Sequence, residues 1–408
     1  MERCLSYARR IRHLESYDES VKIDASVQLR ISQLLGSEPL TPSLRSLSCS
    51  LSATGLLFLS PNLRTMNVIN NPKVVPYLTI PQLLEKAPLL QKFVCRDMRL
   101  ISCQSSWEAL SRFPHLRYLS FDDYSMLPED WLKQLFTFEN LTELCLFLGE
   151  RSLQKSLPNI SHLRSLQSLV ISGAESVINR ILNCLSDSPL ISLRVYYRTR
   201  VSDLGLTDIE SMWRTRLAHI ARWFAGLLHL EMEGSFEGWF VSMKEPSLLE
   251  PLFAIKTIKT LLLHIPIVFD LSDAGYERVA LAWPELEQLN LISPELLAVG
   301  QVTTPRATLA TLETFATHCL RLSDLSLFLD PSCPPPIPRL LSHGLEELNV
   351  IHGPSSEPPT ASHGNVVARH VKALFPLCSL REYSIGKTRW GVVLRLVSDD
   401  RPGQEWDG

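Results

Sequence analysis

Aliphatic residues recur along this chain in a six-residue motif that has leucine or a similar residue at positions one, four and six. The motif returns about thirteen times between Leu44 and Ile385, at intervals of roughly 19 to 37 residues. Clear examples run over 116–121, 141–146 and 286–291. Alternate side chains of an extended segment point to opposite faces, so positions four and six should point into a core. Positions three, five and seven should point outward, and each motif predicts one short strand.

Amphipathic segments with helical spacing separate many of the motifs. Residues 208–226 predict a long helix, because its apolar residues recur at offsets of three and four: Ile209, Met212, Trp213, Leu217, Ile220 and Phe224. Ser272 and Asp273 predict a helix start before residues 274–283, and Pro284 ends that helix two residues before the next motif. A strand and an outer helix therefore alternate along the chain.

A single strand cannot bury its apolar side alone, so successive units must stack. This arrangement predicts an α/β fold, a leucine-rich-repeat solenoid or horseshoe with parallel strands on the concave face and helices and loops on the convex face. We expect an N-terminal leader and cap over 1–43, a solenoid of about thirteen irregular repeats over 44–388, and a C-terminal cap and tail over 389–408.

The composition excludes several classes of partner. The chain has 408 residues and a net charge of −3, with acidic and basic residues mixed throughout. Neither a nucleic-acid-binding stripe nor a membrane-attracting surface is evident. The opening lacks the apolar run of a secretory signal, and the nine cysteines include no Cys-x-x-Cys pair. We expect a monomer in the cytoplasm or nucleus with reduced thiols, of which Cys49 and Cys95 stand at inward positions.

No catalytic pattern stands out, and we expect neither an enzyme nor a cofactor nor a metal site. His318 and Cys319 are adjacent, so on a helix they would point in different directions and could not pair as base and nucleophile. The densest group of potential metal ligands matches no known zinc spacing: His343, His352, His363, His370, Cys333 and Cys378. An enzyme or a metal-binding protein remains a remote alternative.

The outward positions would tile the concave face and provide a surface for a protein target. Aromatic residues and arginines, which anchor many interfaces, are frequent there. The predicted partner-binding residues are Arg96, Tyr118, Asp122, Glu143, Phe147, Arg194, Tyr196, Glu231 and Glu233. Asp324, Glu347 and Glu382 extend the row, so the second half should be mildly acidic and its partner basic or apolar there. Ile292, Phe328 and Ile351 would add apolar outward residues.

Proline before a degenerate motif, as in 113–119 and 283–289, together with the variable helices, resembles fungal F-box leucine-rich-repeat proteins. Residues 6–14 look like the segment that commonly follows the F-box in such chains. In that family the repeats recognise a target and the F-box docks on an SCF-type ubiquitin ligase. No F-box with its Leu-Pro opening is found in this sequence. The resemblance implies a non-catalytic target-recognition subunit, with the cullin-ligase linker as a second partner; the alternative is a stand-alone leucine-rich-repeat binding protein.

Overall fold

The computed structural model describes residues 2–16, 25–36, 38–50, 55, 57–69, 79–96, 104–122, 131–148, 163–198, 206–234, 241–292, 306–330, 340–351 and 361–382. The chain forms two compact units, Met1–Leu190 and Ile191–Gly408. We call them unit 1 and unit 2 and describe each by itself. No helix among the described residues is both long enough and apolar enough to cross a membrane.

Unit 1 contains a parallel sheet whose strands follow one another in chain order. The strands are β1 (His13–Ser16), β2 (Ser46–Ser50), β3 (Thr65–Ile69), β4 (Lys92–Cys95), β5 (Tyr118–Asp122), β6 (Glu143–Phe147) and β7 (Ser168–Gly173). The helices are α1 (Glu2–Ala8), α2 (Ala25–Leu35), α3 (Ile80–Lys86), α4 (Gln104–Ser111), α5 (Trp131–Leu135) and α6 (Glu175–Cys184). The first strand precedes the first motif and lies in the segment that we predict as leader and cap.

Unit 2 repeats the same plan. Its parallel sheet has the strand order β8 (Ser192–Tyr197), β9 (His229–Gly234), β11 (Thr260–His264), β13 (Gln288–Asn290), β14 (Asp324–Phe328), β15 (Glu347–Ile351) and β16 (Ser379–Glu382). A separate two-stranded parallel sheet joins β10 (Val241–Met243) to β12 (Ile267–Phe269). The helices are α7 (Leu206–Trp223), α8 (Asp273–Ala282), α9 (Ala310–His318) and α10 (Ala361–Leu374), with short 3-10 helices at Pro246–Leu248 and Glu250–Ala254.

The core of each unit is built from rows of motif residues that lie in register. In unit 2 the position-four leucines pair from strand to strand and are all 0% exposed: Leu193, Leu230, Leu261, Leu289, Leu325 and Leu348. Fully burying one such side chain contributes about 1.5 to 3 kcal/mol. Cys49 and Cys95 are buried at position six in unit 1, as the motif predicts. Each unit thus has the α/β leucine-rich-repeat architecture, with a parallel sheet and helices between many of its successive strands, and the predicted fold class is confirmed.

Local sequence signals fix where the helices begin. The Ser272 hydroxyl accepts a hydrogen bond from the Gly275 amide, so α8 starts at the predicted cap. Thr79 and Gln82 form a capping box before α3, in which each side chain bonds the backbone of the other. The predicted helix over 208–226 is confirmed as α7, which begins two residues earlier and ends at Trp223.

The motif that ends at Ile385 has a different register from the predicted one. Counting back from Ile385 places Leu380 at position one, but Leu380 pairs with Leu348 and therefore occupies position four. The turn after α10 is one residue shorter than the turn after α8, and the buried Cys378 replaces the usual position-one leucine. Glu382 consequently aligns with Val350, which occupies an inward position, whereas the side chain of Glu382 lies outside the described part.

Candidate partner-binding strand face

Three of the predicted partner-binding residues meet on two neighbouring strands of unit 2. The Tyr196 hydroxyl donates a 2.9 Å hydrogen bond to Oε1 of Glu231. The guanidinium of Arg194 lies 3.3 Å from Oε2 of the same carboxylate. Arg194 pairs directly with Glu231 across β8 and β9, whereas Tyr196 reaches it diagonally. A tyrosine and an arginine therefore hold one carboxylate in place on the outward side of the sheet; we call these three residues the Tyr196 cluster.

The Tyr196 cluster is only partly covered. Glu231 is 20% exposed and Arg194 is 56% exposed, so the ion pair is accessible to a partner. Burial of the phenol raises the pKa of Tyr196 to about 12, and the bond to Glu231 and its negative charge add to this shift. The hydroxyl therefore keeps its proton under all ordinary conditions and remains a hydrogen-bond donor.

A depression of about 410 Å³ adjoins the Tyr196 cluster on the same side of the sheet. It is lined by residues of β8, β9, β11 and β13 and by the residues just before β13 and β14: Ser192, Leu193, Arg194, His229, Leu230, Glu231, Thr260, Leu262, Glu287, Gln288 and Ser323. Its volume falls within the range of about 300 to 1,000 Å³ that is typical of ligand pockets. Eight of the eleven lining residues have polar side chains, so the depression offers hydrogen-bond partners to a ligand beside apolar surface from its leucines.

Two polar pairs include residues that line this depression. Nδ1 of His229 lies 3.0 Å from the Thr260 hydroxyl, its register partner on β11. The Lys259 ammonium donates a 2.8 Å hydrogen bond to Oε1 of Glu287. That bond and the charge of Lys259 lower the pKa of Glu287, although partial burial opposes the shift. Glu287 is therefore ionised at neutral pH.

Further carboxylates occupy outward positions of unit 2. Glu233 is half-buried on β9 and pairs in register with His264 on β11. Asp324 and Glu347 are direct register partners on β14 and β15. The outward positions of β8 to β15 thus carry Arg194 against these three carboxylates and Glu231, which gives the acidic surface that the sequence predicts.

The predicted apolar contribution to this surface is wrong at two positions. Ile292 is 7% exposed and Phe328 is 4% exposed, so neither side chain is available to a partner. The alternation of inward and outward side chains holds only within an extended strand. Strand β13 ends at Asn290, so Ile292 lies beyond it. Phe328 still lies within β14, so the end of the strand does not explain its burial.

Unit 1 places the remaining predicted residues on its own strands. The Lys92 ammonium lies 4.0 Å from the centre of the Tyr118 ring, a cation–π contact between register partners. Burial raises the pKa of Tyr118, with smaller contributions from Cys145 and Glu143. Glu143 follows Tyr118 in register and is exposed. Tyr118 is thus flanked by a cation on one side and a carboxylate on the other.

The other three residues of unit 1 stand at position seven. Arg96 is exposed just beyond β4, and its amide donates a 2.9 Å bond to the Val68 carbonyl. Phe147 is half-buried at the end of β6 and aligns with Asp122 of β5, whose side chain lies outside the described part. The register therefore confirms adjacency for Asp122 and Phe147, and for Tyr118 and Glu143.

Sequence reasoning overlooked Thr260, Lys259 and Glu287. A usable signal exists, because residues at the same motif position pair across neighbouring strands: Arg194 and Glu231 both occupy position five. Lys259 and Glu287 both occupy position two and carry opposite charges. Alignment of the motifs, rather than a reading of each motif alone, would have predicted both ion pairs.

Cys319 and His343, two of the groups singled out in the sequence, belong to the core, whereas His318 is half-buried. Cys319 is buried, and its thiol lies 3.5 Å from the Trp283 carbonyl. Burial raises the pKa of Cys319 to about 12. His343 is buried and its Nε2 lies 2.8 Å from the Cys319 carbonyl. Over the described ranges no group of three potential metal ligands is found; His352 and Cys333 lie outside those ranges.

The comparisons with known proteins concern the fold. No protein-family model and no curated protein matches the sequence. Among solved structures, an internalin from Listeria monocytogenes shares 14% identity and a TM-score of 0.37, over 93% of this chain and 96% of that chain. A chain from the yeast complex of Rad7 and Elc1 shares 15% identity and a TM-score of 0.39, over 86% of this chain and 88% of that chain. Likeness at this level assigns no function.

Proposed function

We propose that this chain is a non-catalytic scaffold that binds a protein partner through the outward side of its strands. The observation that carries the proposal is the Tyr196 cluster beside the 410 Å³ depression. Tyrosine and arginine are the residues that most often dominate binding energy at interfaces, especially where packing already restricts their movement. Here the shared contact with Glu231 fixes both before any partner arrives, which reduces the entropy lost on binding.

Affinity capture with matched variants tests this proposal. Tagged wild-type chain should capture a defined set of proteins, and Tyr196→Ala should lose at least one of them. Phe147→Ala tests in the same way whether the strands of unit 1 contribute to the binding surface. Glu277→Ala, which changes an exposed residue of helix α8, is the control and should capture the wild-type set. Thermal unfolding must show that all variants are folded. An identical set from Tyr196→Ala and wild type would remove the Tyr196 cluster from the binding surface.

A finer version of the proposal follows from the resemblance to F-box leucine-rich-repeat proteins. In that version the chain is a target-recognition subunit related to SCF-type ubiquitin-ligase receptors. Phe113 and Trp283, the residues before the prolines that carry the resemblance, are both buried and so serve the repeat fold. Co-purification with the cullin-ligase linker subunit tests the ligase role. If a sensitive pull-down recovers protein targets without the linker, the chain is a stand-alone binding protein.

A further inference from the structure

We infer that the strand face of unit 2 binds an extended basic segment of its protein partner, with one lysine or arginine side chain in the depression beside Glu231 and Glu287. This inference rests on the proposed function and specifies the chemistry of the partner. Three independent features carry it: the charge of the face, the shape and lining of the depression, and a buried acceptor further along the sheet.

The charge of the face favours a cationic partner. At the outward positions of β8 to β16, the arginine and lysine residues are Arg194, which already pairs with Glu231, and Arg381 on the last strand, which aligns with Asn349. Glu233, Asp324 and Glu347 follow along the same face. Facing charges of opposite sign increase the rate of encounter and exclude partners of like charge. An acidic segment would therefore be repelled from this surface.

The depression can accept a cationic head group. Its lining includes the carboxylates of Glu231 and Glu287, and Arg194 is the only permanently charged cation among the lining residues. Lys259 bonds only Oε1 of Glu287, and a carboxylate can accept several hydrogen bonds at once. Long basic side chains bury their methylene stems against apolar surface while the head group remains bonded, and Leu262 offers such a surface here.

A second anchor lies on β15. Nδ2 of Asn349 donates to the Ser326 hydroxyl at 3.1 Å and to Oε1 of Glu347 at 3.2 Å, which fixes the orientation of the amide. The amide oxygen of Asn349 is consequently the acceptor that remains, and it is buried without a hydrogen-bond partner among the described residues, in a residue that is only 6% exposed. A buried acceptor without a donor is costly. A basic side chain would bond the Glu347 carboxylate, whereas the Asn349 oxygen has almost no accessible surface and gains a donor only if the side chains that cover it move aside.

The spacing of these two anchors sets the length of the segment. The strands from β9 to β15 follow in the order β9, β11, β13, β14 and β15. Neighbouring strands lie about 4.8 Å apart, so the anchors are about 19 Å apart, the length of about six extended residues. Because alternate side chains of an extended segment share one side, the basic residues should stand at every second position.

Fluorescence anisotropy with synthetic peptides tests the inference on the full-length chain. The probe is a labelled peptide of four Lys-Ser dipeptides, and the comparison peptides are four Glu-Ser dipeptides and a block peptide with four lysines followed by four serines. We expect the alternating basic peptide to bind about tenfold more tightly than the acidic peptide and measurably more tightly than the block peptide. The binding should weaken as ionic strength rises.

Matched double variants distinguish a specific effect of the strand face on peptide binding from an effect of the protein's net charge. Glu233→Gln with Asp324→Asn removes two carboxylates from the face and should lower the affinity for the alternating basic peptide by about fivefold. Glu277→Gln with Glu245→Gln makes the same change of charge on helix α8 and just before the 3-10 helix Pro246–Leu248, and should leave affinity unchanged. Equal affinity for basic and acidic peptides, or an equal loss in both double variants, would overturn the inference. If no peptide binds while Tyr196→Ala still loses its captured partner, only this inference fails and the proposed function stands.

Discussion

The Tyr196 hydroxyl on β8 donates to the Glu231 carboxylate on β9, although the two residues are separated by 35 positions in the sequence. Parallel stacking of repeats brings them together, since position five of one motif faces position five of the next and position seven reaches it diagonally. The contact links the fold to the proposed binding surface, because its geometry depends on the register of the two strands.

The protonation of Tyr196 should respond to Glu231. Burial, the bond to Glu231 and its charge raise the pKa of Tyr196 to about 12, above the value of about 10 for an unfolded chain. Glu231→Gln should therefore lower the pKa of Tyr196 without restoring the ordinary value, because burial remains. Carbon-13 NMR of ring-labelled tyrosine measures this directly; an unchanged pKa in Glu231→Gln would show that the contact is absent in solution.

The same shift predicts a dependence of stability on pH. A group whose pKa is higher in the folded state contributes stability that is fully present below its unfolded pKa and is lost as pH rises through its folded pKa. For Tyr196 the loss should occur between about pH 10 and pH 12. Urea unfolding across this range should show a smaller decrease for Tyr196→Phe than for wild type, and equal decreases would contradict the assignment.

Gly234 should not tolerate a side chain. A Cβ atom at Gly234 would lie 2.7 Å from Cζ2 of Trp213, a fully buried ring that cannot move away. We expect Gly234→Ala to lower the free energy of unfolding by about 1 to 3 kcal/mol through overpacking. Gly226→Ala is the matched control, because nothing lies within 4 Å of its added Cβ. Equal unfolding midpoints in urea for the two variants would mean that Trp213 packs elsewhere.

Leu289 should be critical for the stacking of unit 2. It is 0% exposed on β13, between Leu261 and Leu325 of the neighbouring strands. Leu289→Ala should cost about 2 to 5 kcal/mol, with increased hydrogen exchange mainly in the adjacent repeats because contacts are between nearest neighbours. Leu281→Ala, at a side chain that is 55% exposed, is the control. A cost under about 0.5 kcal/mol for Leu289→Ala would contradict the register.

Asp273 should join two successive repeats. Its carboxylate accepts 2.8 Å hydrogen bonds from both the amide and the hydroxyl of Thr308, and a further bond from the Thr311 hydroxyl. Asp273→Ala should lower the free energy of unfolding by about 2 to 4 kcal/mol, because it leaves a backbone donor without its charged acceptor. Exchange of the Thr308 amide should accelerate in Asp273→Ala and remain slow in the helix control Glu277→Ala; protection in both would show that the bond is dispensable.

The fold could be predicted from the sequence because the alternation within each motif indicates which side chains point inward and which point outward. The period of two in a strand identifies the buried leucines, such as Leu289, and a cap residue such as Ser272 identifies a helix start. The prediction failed at Leu380, where a turn shortened by one residue shifts the strand, and at Ile292, which lies beyond its strand. A turn that is one residue shorter cannot be recognised from the pattern of leucines, so the shifted register could not be predicted.

Most of the candidate site depends on pairs of residues that are distant in sequence. Arg194, Tyr196 and Glu231 were each predicted to point outward, but their mutual contact requires the register between β8 and β9. The 410 Å³ depression was not predicted at all, since its shape depends on side chains from several strands. Individual motifs specify orientation, whereas contacts between motifs specify the site.

Site-specific photo-cross-linking tests most directly whether the outward side of the strands binds the partner. A benzophenone amino acid replaces Leu262, which lines the depression, or Leu281, which is exposed on helix α8. We predict that irradiation with the captured partner gives a covalent adduct from position 262 and none from position 281. An adduct from position 281 alone would place the binding surface on the helices and would contradict binding through the outward side of the strands.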